Sequence, residues 1–163
     1  QDATRSTWFV KQRVVFLSAG MADLVDHINQ AKHNAACAAH LLGGKTYRDW
    51  AITATFYAAV HFAEAAFSSL PDVRHSETQG TSSDSPHDVR EKLIRDKFGE
   101  ACWKSYKKLR QASNNVRYLA LWRSMRTGTA LDYYQLADAE KFLSEDLTRV
   151  KSEIQKVVKV KLD

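Results

Sequence analysis

A chain of 163 residues, 44% apolar and 26% charged, has the size and balance of one globular domain that can bury a core without disulfide staples. It holds only 2 Pro and 6 Gly, and no uninterrupted apolar run reaches about 18 residues, so a membrane-spanning helix is excluded and long Ala-rich helices are favoured. The net charge of +5 is concentrated: residues 90–126 carry eleven basic and three acidic groups, with no acid between Ala101 and Arg126. Such a stretch either attracts a polyanion or serves as a solvated helix face.

In chain order, residues 1–20 read as an N-terminal extension, because Met21 directly precedes a helical pattern. The extension is either translated or appended ahead of the domain, or a native arm in which Trp8 to Leu17 pairs with something. Residues 21–163 then form a single domain. The first predicted helix runs from about Ala22 to Leu42, with Leu24, Ile28, Ala31, Ala35, Ala38 and Leu42 on one stripe and Gly43-Gly44 as the stop. The second runs from about Tyr47 to Ser69, capped by Thr46 with Asp49. It carries one stripe of Ile52, Phe56, Ala59, Ala63 and Phe67 and a second of Trp50, Ala54, Tyr57 and His61, the pattern of a central helix.

Residues 71–86 are an irregular loop rich in Ser, Thr, Asp and Gly. It ends in a helix start: Ser85 as N-cap, Pro86 at the first helical position and Asp88 in the first turn. The third helix follows to about Trp122 with a kink near Phe98-Gly99; Cys102, Tyr106, Leu109, Ser113, Val116 and Ala120 share its inner face. After a turn, Asp132 and Gln135 suggest a capping box, and a last helix runs to about Val160 along Leu143, Leu147, Val150, Ile154 and Val157. The fold class is therefore all-α, an up-and-down bundle of four or five helices. Cys37 and Cys102 read as two buried free thiols in a reducing, cytoplasmic compartment.

Three constellations carry possible chemistry. The first is a polar cleft of His33, Asn34, Tyr57, His61, Glu64, His87, Arg90, Arg117 and Tyr118, in which Arg90 and Arg117 would clamp an anion. The same residues could instead be a hydrogen-bonded network that only fixes packing. The second is a metal site of His61, Glu64, His75 and His87. Helical bundles ordinarily use Glu-x-x-His, and here the order is reversed, so no metal is expected. The third is a basic face of Lys104, Lys107, Lys108, Arg110, Arg123 and Arg126, interleaved with Trp103, Tyr106, Tyr118 and Trp122, which suits single-stranded RNA. Aromatics at helical spacing are more often core, and Trp122 and Tyr118, four apart, read as packing rather than as a platform.

Four stretches, AKHNAACAAHLL at 31–42, YRDWAITATFYAAVHFAEAAF at 47–67, HDVREKL at 87–93 and SYKKLRQASNNVRYL at 105–119, together resemble a HEPN domain of the small stand-alone prokaryotic kind over roughly residues 22–122. The resemblance implies an up-and-down helical bundle. It also implies RNA cleavage, RNA or nucleotide binding, pairing into homodimers, or partnership with a small nucleotidyltransferase in toxin–antitoxin, defence or mobile-element loci. The ribonuclease members of that family share an Arg followed after four to six residues by a His, and no Arg–His pair here has that spacing. Arg117 in NNVRYLALW stands nearest to it, with no His after it. The expectation is a non-catalytic binding module for RNA, a nucleotide or a nucleotidyltransferase, without cofactor. One alternative is a divergent ribonuclease or nucleotide-processing enzyme with His61 or His87 as base and Arg90 or Arg117 as cation. The other is a structural homodimer built on the last helix or the N-terminal arm.

Overall fold

The structure, a computed structural model, describes residues 22–73, 84–119, 128–159 and 161–162. The expected N-terminal extension, His75, most of the 71–86 loop, Trp122, Arg123 and Arg126 lie outside the described residues. The elements are α1 (Leu24–Gly43), α2 (Arg48–Ser69), α3 (Pro86–Tyr118), α4 (Ala130–Tyr133), α5 (Leu136–Lys141), a π-helical turn (Phe142–Leu147) and α6 (Thr148–Val157). The described residues form an all-helical bundle, and none of their helices is long and apolar enough to cross a membrane.

Helix α1 starts on a capping box. The Asp23 carboxylate accepts from the backbone N–H of Val25 and Asp26 at 2.8 and 2.9 Å, and Asp26 accepts from the Asp23 N–H. Its buried stripe is His27, Ala31, Ala38 and Leu42. The stop after Gly43 is not made by glycine conformation: Gly44 is right-handed, and the left-handed residue is Lys45 at φ 57. Thr46 does not cap α2 either. Its hydroxyl turns back to donate to the Gly44 carbonyl, and Tyr47 holds the cap position without a side-chain bond.

Helix α2 is the central helix, with fourteen of its 22 residues buried, Ile52, Phe56, Ala59, Ala63 and Phe67 among them. Trp50, expected on its second stripe, is instead 60% exposed. The start of α3 is as predicted: Ser85 Oγ accepts from the Asp88 N–H, and Pro86 opens the helix. The expected kink is a full reversal at Gly99 (φ 81, ψ 178), a conformation that only glycine adopts at low cost. Arg110 and Asp88 would stand about 33 Å apart on one straight helix. Their side chains meet at 2.7 Å, so arms 86–98 and 100–118 run antiparallel.

The first arm of α3 runs parallel to α2. Phe56 touches His87 near one end and Phe67 stacks on Phe98 near the other, with ring centroids 5.6 and 5.7 Å apart. The up-and-down alternation is therefore broken once.

The single last helix resolves into α4, α5, the π-helical turn and α6. The expected Asp132/Gln135 box is two boxes: Asp132 closes one begun by Thr129, and Gln135 begins another closed by Asp138. Leu147, Val150 and Ile154 are buried as the seam predicts, Leu143 is half-buried and Val157 is 47% exposed. Helix α6 ends at Val157, and Val158 and Leu162 take over in the core, with the Leu162 N–H donating to Gln155 Oε1. Each fully buried large side chain, such as Phe56, Phe67, Ile94, Leu109 and Ile154, contributes about 1.5–3 kcal/mol. Cys102 is buried, and burial pushes its thiol up to about 12, but Cys37 is exposed, contrary to expectation.

Candidate functional site

The predicted polar cleft divides into a buried network and a surface site. In the network, Arg90 Nε donates to Glu64 Oε1 at 2.6 Å, and both residues are almost fully buried. Burial opposes the Arg90 charge; the Glu64 carboxylate beside it favours the charge, and the pKa is raised. Burial also pushes the Tyr106 phenol up to about 12, so it is neutral. His87 Nδ1 lies 3.1 Å from Arg90 Nη1. Burial, then the charges of Arg90, Arg110 and Arg117, lower the His87 pKa below 6.5. The ring is thus neutral at pH 7, and Nδ1 accepts from the guanidinium.

Half-buried His61 meets a different partner, one that spacing did not single out. Its Nδ1 lies 3.0 Å from that of His27, so one ring donates and the other accepts. The signal was present: His27 stands four residues before Ala31, on the buried stripe of α1. His33 and Asn34 point elsewhere. His33 is exposed, and Asn34 accepts from Gln30 on the flank of α1. Among the described residues no group of three His, Cys, Asp or Glu comes together in a way that could hold a metal ion.

The surface site is built on Arg117 in the last turn of α3. Its Nη1 donates to the Tyr57 hydroxyl at 3.2 Å and to the Tyr118 hydroxyl at 3.5 Å, Nη2 to Asn114 Oδ1 at 2.9 Å, and Nε to the Ser113 carbonyl at 3.3 Å. The guanidinium carbon also lies 4.8 Å from the ring centroid of Tyr118 and 5.6 Å from that of Tyr57. No carboxylate pairs with it among the described residues. Arg117 borders a cavity of about 240 Å3 whose other walls are Asp49, Trp50, Thr53 and Val116. Asp49, Trp50 and Thr53 were not among the predicted site residues. Trp50, Thr53 and Tyr57 lie three and four apart, on one face of α2.

The basic stretch is not an unpaired field. Arg110 donates to Asp88 and Glu91 at 2.7 Å each, Lys108 pairs with Asp146 at 2.7 Å, and Lys104 lies 3.6 Å from Glu100. Lys107 sits over the Trp103 ring at 4.7 Å, with Arg95 at 4.9 Å from the same ring, and the Trp103 Nε1–H donates to Glu91. The acids absent from 101–126 in sequence are supplied in space by the first arm of α3 and by the π-helical turn. Lys108 and Arg110 are thus each held by a carboxylate of another segment.

The chain matches no protein-family model, no curated protein and no solved structure.

Proposed function

We propose that this chain is a HEPN-like helical module that binds, without cleaving, a phosphate-bearing ligand, either a nucleotide or RNA, at the Arg117 end of the bundle. The observation that carries the reading is the state of Arg117. A half-buried guanidinium is oriented by four neutral acceptors and flanked by two tyrosine rings, yet has no carboxylate paired with it among the described residues. Arg90, Arg95 and Arg110 each have one, whereas Arg48, which donates to the Leu131 carbonyl, shares with Arg117 the lack of a carboxylate among the described residues. An anion brought to Arg117 gains charge-assisted hydrogen bonds of about 1.5–3 kcal/mol. The HEPN resemblance supplies the ligand class, and exposed Trp50 and Tyr118 supply rings on which bases stack.

The test is anisotropy of end-labelled single-stranded RNA, with gel analysis for cleavage, with and without divalent metal. Binding without cleavage is expected, weakened about 10- to 150-fold by Arg117→Ala. Equal affinity of the two proteins refutes the reading. A second reading has its own observation: His87 is a neutral base beside cations, the arrangement a metal-independent ribonuclease uses. RNA cleavage lost in His87→Gln would establish it.

A further inference from the structure

We infer that the cavity beside Arg117 is a base-reading pocket for a guanine nucleotide, an inference that rests on the binding role proposed above for Arg117. Its walls combine three chemistries. Trp50, 60% exposed, offers an indole. Arg117 offers an uncompensated cation. Asp49 offers a half-buried carboxylate that makes no side-chain hydrogen bond or ion pair among the described residues; its backbone carbonyl accepts from the Thr53 hydroxyl at 3.1 Å.

An acid and a base that line one cavity without pairing with each other select a ligand bearing both complements. A phosphate answers Arg117. The two oxygens of Asp49 answer a pair of adjacent N–H donors. Among the common bases guanine alone presents such a pair on its Watson–Crick edge, the ring N1–H beside the exocyclic amino group. Adenine and cytosine each present one donor beside an acceptor that a carboxylate repels. The volume agrees with this division. About 240 Å3 is below the roughly 300–1,000 Å3 of pockets that enclose whole ligands, so it takes one flat ring and leaves sugar and phosphate at the rim. Thr53 and Val116 also line it. The location is also economical, because α2 contributes Asp49, Trp50 and Thr53 from one turn and α3 contributes Val116 and Arg117 as neighbours.

The experiment is calorimetric titration of the full chain with GMP, AMP and IMP, repeated on Asp49→Asn, Trp50→Ala and Arg117→Ala. A well-placed bidentate contact discriminates between bases by roughly 5- to 150-fold. GMP is therefore expected to bind at least fivefold more tightly than AMP, with IMP, which keeps N1–H and lacks the amino group, between them. Asp49→Asn should collapse the GMP preference. Trp50→Ala should weaken GMP and AMP alike and leave their ratio unchanged. The GMP to AMP ratio of the unmodified chain decides the matter even if a variant fails to fold. Equal binding of GMP and AMP that Arg117→Ala abolishes overturns the guanine pocket and leaves the binding role of Arg117 standing. RNA binding that depends on Arg117 without any mononucleotide binding does the same. No binding of any nucleotide or RNA overturns both.

Discussion

Replacing Glu64 by Gln keeps the volume of a side chain that is 2% exposed and removes its charge. Arg90, 4% exposed and 2.6 Å away, is then left as a cation in the interior without its carboxylate. The neighbours that remain, neutral His87 and the neutral Tyr106 phenol, do not balance it. Breaking a buried pair from one side costs about 3–5 kcal/mol. That is a large part of a domain stability of about 5–15 kcal/mol. At about 2–4 °C per kcal/mol for a chain of this size, Tm should fall by about 6–20 °C. The measurement is thermal and urea unfolding of both proteins followed by far-ultraviolet circular dichroism at pH 7. The double variant Glu64→Leu with Arg90→Met removes both charges together and should recover most of the loss, since an apolar pair of similar volume is commonly neutral or better. A single variant within about 1 kcal/mol of the parent would show that water or a rearranged partner reaches Arg90, and would refute the account of a dry pair.

Gly99→Ala should cost about 1–3 kcal/mol although the added methyl meets no atom within 4 Å, because φ 81 with ψ 178 is strained for any L side chain. An unchanged urea midpoint would mean that the reversal relaxes freely. The pKa of His87 is lowered in the folded chain, so the unfolded chain binds its proton more readily, and folding stability should fall as pH drops below about 6.5 towards the folded value. His87→Gln should flatten that part of the stability curve, and an identical slope in the two proteins would remove His87 from the explanation. Asp88 works in a lower window. The hydrogen bonds from Ser85 and Arg110 depress its pKa, so its contribution is intact above about 3.8 and disappears on further acidification; Asp88→Asn should remove that acid-limb loss in the same titration.

The bundle was legible where one physical rule acts alone. The period of 3.6 residues placed the stripes of α1, α2 and the second arm of α3, and Ser85-Pro86-Asp88 announced a helix start that the backbone follows. It was not legible where distant segments compete. The carboxylates that neutralise Arg110 stand nineteen and twenty-two residues away, and only the reversal at Gly99 brings them near. Part of the basic stretch, Lys104, Lys108 and Arg110, therefore looked like a field in one dimension and is paired in three. The same reason hid Asp49 and Trp50. An acid in the first turn of a helix and an aromatic on a stripe carry ordinary structural explanations until Arg117 is seen beside them. Glu64, Arg90 and His87 are in contact as a mostly buried network and His61 meets His27, whereas Tyr57, Arg117 and Tyr118 meet at the half-buried to exposed end of α3. The resemblance to HEPN domains gave an expected bundle and ligand class, and the parallel course of α2 and the first arm of α3 lay beyond what periodicity alone can specify.

The π-helical turn between α5 and α6 has a consequence for chain length. A turn with i to i+5 bonding holds one more residue than an α-helical turn. Ala139 and Phe142 face the core before it, and Leu147, Val150 and Ile154 face the core after it. In an uninterrupted α-helix the rotation from Phe142 would bring residues 146, 149 and 153 to that face, and all the later apolar residues would miss it by one position. The turn absorbs a surplus residue in place, so the two apolar registers of this segment stay in phase with the bundle. The segment thus tolerates a length polymorphism of one residue that a regular helix would transmit along its whole remaining length.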